Sequence, residues 1–329
     1  MDTELKELDD KIKLLVNKLE NLKKEIHKVI IGQEEVIDQL LVGLLARGHV
    51  LIEGLPGLAK TLMIKTLAQA VNLDFNRIQF TPDLMPSDIL GTEVIEEDQH
   101  GHKSFQYHKG PVFSNILLAD EINRTPPKTQ AALLEVMQEY KVTYAGTNYP
   151  LPEPFFLLAT QNPLEQSGTF PLPEAQVDRF IFYVLIDYPT EAEEVLILKQ
   201  TTSSKKTTVT AQLSGSEIIE LQSLVREVFI SDELISTVNA MVRQTRPINT
   251  ELDNFKEYVD FGAGPRAGQA IILTAKAHAL LSGRYAVTSD DLKKVTVPAL
   301  RHRLLLNFKA ESKGISADLL LEELTAKYL

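Results

Sequence analysis

The chain has 329 residues, 44% hydrophobic and 24% charged, enough for one or two domains with a sizeable core. A formal net charge of −11 weighs against a general nucleic-acid binder, whose phosphate contacts need a basic face, and the lack of cysteine excludes disulfides and thiolate metal sites. No apolar run approaches the roughly 18 residues of a membrane span, and Met1–Asp10 is polar, so neither a span nor a signal peptide is expected; the cytoplasm is the expected location.

Leu5, Leu8, Ile12, Leu15, Leu19, Leu22, Ile26 and Val29 recur at spacings of three and four, which predicts an amphipathic helix over residues 1–29. The same stripe would serve a helix laid on its own domain or an intermolecular coiled coil, and ordinary packing is the commoner use. Gly32 breaks it, and Glu34 to Ala46 starts another helix. Val50-Leu51-Ile52 reads as a short buried strand, followed by a Gly/Pro-rich loop and a helix from about Leu62 to Val71. Phe75 to Phe80 alternates as a second strand. Thr92–Ile95 and Ser104–Tyr107 flank a polar tip and read as an inserted hairpin. His100, His102 and His108 there are either solvated loop residues or a metal site, and no carboxylate at ligand spacing supports the latter. Ile116 to Glu121 is a buried strand ending in two acids, Pro126-Pro127 opens a helix to about Tyr140, and Val142 to Leu151 reads as a second hairpin. Phe155 to Ala159 and Ile181 to Ile186 complete five strands, with a short helix from Pro173 to Phe180 between them. Strands alternating with helices over residues 30–190 predict an α/β fold with a doubly wound parallel sheet.

Residues 191–215, Ser/Thr/Lys-rich from Thr201, read as a linker. From Ser216 onward only helical stripes are evident, at Ile218–Val228, Asp232–Gln244, Gly268–Leu281, Asp290–Leu306 and Ala317–Tyr328, with Ser289 as an N-cap. Residues 216–329 are therefore expected to form a small all-helical domain.

The loop Gly54-Leu55-Pro56-Gly57-Leu58-Ala59-Lys60-Thr61 sits between strand and helix, where backbone N–H groups and the helix dipole can wrap phosphates. Lys60 would reach the outer phosphates and the Thr61 hydroxyl a Mg²⁺ ion. Ala59 stands where the usual pattern has glycine, so its backbone is expected to keep ordinary dihedrals. Asp120 and Glu121, at the carboxyl end of another parallel strand, would face that loop, Asp120 holding the Mg²⁺ water shell and Glu121 polarising an attacking water. Asn162 would reach the same edge, to orient the water or touch the γ-phosphate, although it could equally be a turn residue before Pro163. Arg179 and Arg266 are candidates to stabilise charge in phosphoryl transfer; singly, each could be a surface ion-pair residue.

In this order the residues resemble an AAA+ ATPase: Walker A at Gly54–Thr61, Walker B at Ile116–Glu121, sensor 1 at Asn162, an arginine finger at Arg179 and sensor 2 at Arg266. More narrowly the chain resembles the MoxR family, in its G-x-P-G-x-A-K-T loop, L-A-D-E-I-N-R-x-P-P run at Leu118–Pro127, A-T-Q-N-P at Ala159–Pro163 and P-E-A-Q-x-D-R-F at Pro173–Phe180. The resemblance implies a homo-oligomeric ring, commonly hexameric, with ATP and Mg²⁺ bound between neighbours. Arg179 would then act in trans and Arg266 in cis, Val29–Gln33 with Ile31 would line the adenine pocket beside the loop and Leu62, and both hairpins would project toward the ring face or pore. It also implies chaperone-like maturation or assembly of protein complexes, with a client bearing a von Willebrand factor A domain. A nucleic-acid motor and a P-loop phosphotransferase are the competing classes; the acidic charge disfavours the first, and the second leaves Arg179 without a role.

Overall fold

A computed structural model describes residues 2–97, 103–164, 168–204 and 207–329, with the side chains of residues 2–11 (Leu5 and Leu8 among them) outside the description. His100 and His102 also lie outside the described residues. Its centre is a five-stranded sheet of β1 (Val50–Gly54), β2 (Phe75–Gln79), β3 (Ile116–Asp120), β4 (Phe156–Gln161) and β5 (Phe182–Ile186), in the order β2-β3-β4-β1-β5. Every pairing is parallel. Alternate residues serve two cores. Val50, Ile52, Ile116, Leu118, Phe156 and Leu158 pack under the helices Glu34–Leu45 and Lys60–Ala70, whereas Leu51, Leu117, Ala119, Leu157 and Ala159 pack with helix Pro127–Glu139. The central strands read as unbroken apolar runs because both faces are covered.

The two hairpins are Gly91–Glu97 with Lys103–Lys109, and Lys141–Tyr144 with Thr147–Pro150. They touch each other. The Tyr107 ring stacks on Tyr144 and Tyr149, at centroid distances of 5.0 and 4.4 Å. His108 pairs with Glu96 at 2.8 Å, and among the described residues no group of three or more metal-ligating side chains is clustered.

Helix Asp2–His27 lies on its own chain: Leu15, Leu19, Leu22 and Ile26 are buried against helices Lys60–Ala70 and Pro265–Leu281. Lys18 reaches Glu217 at 2.5 Å and Lys23 reaches Asp38 at 2.6 Å. The heptad stripe, as far as it is described, is therefore consumed by intramolecular packing. No described helix is long and apolar enough to cross a membrane.

The structure adds detail after β5. The supposed linker holds a helix, Glu191–Thr201, started by a Thr190–Glu193 capping box. The carboxy-terminal region is helical apart from a short antiparallel pair, Val259–Phe261 with Leu305–Leu306. The stripe from Asp290 to Leu306 ends as a helix at Leu300, and its N-cap is Thr288, boxed by Asp291, so Ser289 is the first helical residue. Arg301–Arg303 then form a 3₁₀ turn. Apolar spacing cannot mark that stop, because Leu304 to Leu306 continue the pattern as extended chain.

His49, just before β1, is buried and neutral: Nε2–H donates to the Met137 carbonyl at 3.0 Å while Nδ1 accepts from the Leu157 N–H at 3.0 Å. Burial pushes its pKa down to about 4 from 6.5. The unfolded chain therefore binds the extra proton first, and stability present above pH 6.5 is lost as pH falls toward 4, by on the order of 3 kcal/mol from this one group. Urea titrations at pH 7 and pH 5 should show the drop, and His49→Gln should reduce its slope.

Candidate nucleotide site

The loop after β1 turns through Gly57 at φ 87° and Ala59 at φ 55°. Gly57 has open space where a side chain would stand. Ala59 departs from expectation: it sits in the left-handed region as the residue before helix Lys60–Ala70. Its Cβ is strained there, and the turn aims the following N–H groups of Lys60, Thr61 and Leu62 into the loop with no helical acceptor. A glycine-free left-handed residue is thus tolerated to form an anion cradle. Lys60 lies across this cradle, donating to the Gly54 carbonyl and to the Leu55 carbonyl at 3.1 Å. Burial lowers its pKa, while Asp120, Glu121 and Glu53 oppose the shift.

The parallel sheet brings both acids to this edge, as expected from strand direction. Asp120 is buried; Oδ1 accepts from Thr160 Oγ1 at 2.5 Å and Oδ2 from Arg77 Nε and an Nη at 2.9 and 2.7 Å. Glu121 leaves the strand at φ 58°, its N–H bonded to Thr160 Oγ1 at 2.9 Å. Its carboxylate accepts from Gln79 at 2.5 Å and Arg124 at 3.0 Å. Asn162 is buried at the end of β4, its Oδ1 accepting from the Leu164 N–H at 3.1 Å, and it faces a cleft shared with Glu53 and Asn123. Arg77 and Gln79 were not singled out from sequence, and Arg124 and Thr160 were read only as parts of the Leu118–Pro127 and Ala159–Pro163 runs. The alternation in Phe75–Phe80 does put Arg77 and Gln79 on one face of the strand.

Beside the cradle is a cavity of about 260 Å³ lined by Ile30, Ile31, Leu58, Leu62, Met63 and Ile197. Ile31, Leu58 and Leu62 were expected here; Ile197 and its neighbours Gln200 and Thr201 come from the helix read as linker. An apolar planar base and a phosphate chain suit this pairing of a greasy slot with free N–H donors.

The two arginines are elsewhere. Arg179, Arg266, Arg47, Arg226 and Arg303 line a cleft of about 450 Å³ that also contains Gly48 and His49. That cleft adjoins the amino end of β1, whereas the phosphate loop leaves its carboxyl end, a five-residue strand or about 17 Å away. Arg266 is ion-paired to Asp178 at 3.0 Å. Arg266 therefore does not lie at the phosphate loop of its own chain here: helix Pro265–Leu281 packs on helix Glu34–Leu45, and Arg266 lines the cleft with Gly48 and His49.

A phosphate-binding loop on a 2-3-4-1-5 parallel sheet, followed by a helical lid, defines an AAA+ ATPase. A family model described as an ATPase family associated with various cellular activities (AAA) matches residues 49–182, and one for an AAA lid domain matches residues 253–324. The chain is 43% identical to Chaperone MoxR1 of Mycobacterium tuberculosis, over 93% of its own length and 80% of that protein's. It is 41% identical to the uncharacterized protein YeaC of Bacillus subtilis, over 91% and 90% of the two. A crystal structure of a candidate ATPase from Cytophaga hutchinsonii superposes with a TM-score of 0.91 at 42% identity, covering 99% of this chain and 98% of that one. The chain belongs to the MoxR family of AAA+ ATPases.

Ala59→Gly should relieve the left-handed strain and raise stability by about 1 kcal/mol, read as a higher melting temperature with nucleotide affinity retained.

Proposed function

We propose that this protein hydrolyses Mg-ATP as a homo-oligomeric ring, commonly of six copies, and couples the cycle to chaperone-like maturation or assembly of protein complexes in the cytoplasm. The observation that carries the ring is the separation of charges. Lys60, Asp120 and Glu121 gather at one end of the sheet, while Arg179 and Arg266 line a cleft at the other. A chain that keeps these groups so far apart completes a hydrolytic site by placing its arginines against a neighbour's nucleotide, a head-to-tail contact that closes into a ring.

In this reading the free N–H groups of Lys60, Thr61 and Leu62 bind phosphate oxygens, and the Lys60 ammonium moves from the loop carbonyls onto the outer phosphates. The Thr61 hydroxyl would hold Mg²⁺ and Asp120 its water shell, and the ion would supply charge neutralisation to the transferring phosphoryl group. Glu121 orients the attacking water, and Asn162 contacts the γ-phosphate or that water. Arg179, with Arg266 beside it, faces the charge that develops on the neighbour's equatorial oxygens. The client is a protein, and one with a von Willebrand factor A domain is what the family resemblance implies; a relative's being named a chaperone supports that direction.

Lys60→Ala should lose ATP binding. Glu121→Gln and Arg179→Ala should each bind ATP normally and hydrolyse it at least 100-fold more slowly. Mixing these last two should restore part of the turnover, because some sites then combine an intact Glu121 with a neighbour's intact Arg179. Wild-type hydrolysis by Arg179→Ala would end the trans assignment. Affinity capture with Glu121→Gln in Mg-ATP should retain a protein client, and nucleic acid in its place would replace the chaperone reading with a motor.

A further inference from the structure

The backbone on both sides of Arg179 is held by a single buried side chain from the lid. Arg303, 2% exposed at its side chain, donates one Nη to the Asp178 carbonyl at 2.9 Å and the Phe180 carbonyl at 2.8 Å, and Nε to Asp178 Oδ1 at 2.8 Å. Its other Nη is tied to the Ala299 carbonyl of the helix before it, so the fork is fixed to the lid. Asp178 Oδ2 takes the Arg266 guanidinium at 3.0 Å, and the Phe180 carbonyl accepts a further bond from His302 Nε2 at 3.0 Å. Among the described residues the Arg179 guanidinium makes one long hydrogen bond, 3.5 Å from an Nη to the Leu134 carbonyl. A loosely engaged head group thus sits between two firmly bonded flanks.

Adhesion between lid and sheet does not call for this arrangement, since a buried ion pair holds two surfaces no better than apolar residues of similar volume. What a guanidinium fork adds is direction, through several acceptors fixed in one plane. We propose that Arg303, acting through Asp178 and the flanking carbonyls, is a positioning residue for Arg179, so that the lid sets where the Arg179 guanidinium is presented to the neighbouring copy. This rests on the reading of Arg179 as trans-acting.

Arg303→Lys keeps the charge and loses the fork. It should bind a fluorescent ATP analogue with wild-type affinity yet hydrolyse ATP roughly 10- to 100-fold more slowly, as a misplaced catalytic group does. Asp178→Asn, which leaves both carbonyl contacts in place, should show the same pattern with a smaller loss and covers the case of a poorly folding Arg303→Lys. The decisive readout is complementation. Arg303→Lys mixed with Glu121→Gln should regain turnover, because its own nucleotide site is sound and the neighbour supplies a well-placed Arg179. Wild-type hydrolysis by both variants, or losses that come with weakened ATP binding and are not rescued by Glu121→Gln, would overturn the proposal. Arg179→Ala run alongside separates the two layers. If it is impaired while Arg303→Lys and Asp178→Asn are not, only the positioning role fails; if it is unimpaired, the trans reading fails first.

Discussion

Strand direction is the constraint on which the rest of this structure depends. Five parallel strands put all their carboxyl ends on one edge and all their amino ends on the other. The phosphate loop after β1, the acids at the end of β3 and Asn162 at the end of β4 must share the first edge, whatever the helices between them do. Arg179 precedes β5 and so must stand near the second. The two poles are built into the topology, and they cannot meet within one chain without dismantling the sheet.

What surrounds the poles is tuned by short polar contacts. The acid edge is strongly netted: Thr160 bridges Asp120 and the Glu121 N–H, Arg77 bonds to Asp120, and Gln79 and Arg124 bond to Glu121. Two residues at this edge, Ala59 and Glu121, take left-handed backbone without being glycine. Strain of that kind persists where the surrounding structure overdetermines it. The amino pole is held differently, by the Arg301-His302-Arg303 turn. It reaches the Tyr183 and Phe180 carbonyls and Asp178, locking the lid to the lead-in of β5.

The amino-terminal helix and the Glu191–Thr201 helix show how peripheral elements enter the site. The first seals helix Lys60–Ala70 and the lid together through Leu15, Leu19, Leu22 and Ile26. The second forms the outer wall of the apolar slot through Ile197. Its apolar residues Val195, Leu196 and Leu198 are exposed, so it lacks the one-sided stripe by which a surface helix is read from sequence.

By itself the sequence determined the five strands, both hairpins and most helices, because these depend on local order: apolar runs and turn residues. The edge shared by Lys60, Asp120, Glu121 and Asn162 followed too, since a parallel sheet leaves no other choice. Tertiary structure alone decided where the lid rests, and with it where Arg266 stands. A lid attached through residues 191–215 can fold toward either end of the sheet, and nothing in the spacing of its helices selects one. The selection comes from contacts between residues more than eighty positions apart, Asp178 with Arg266 and Arg303 above all, whose energy exists only once the chain has closed.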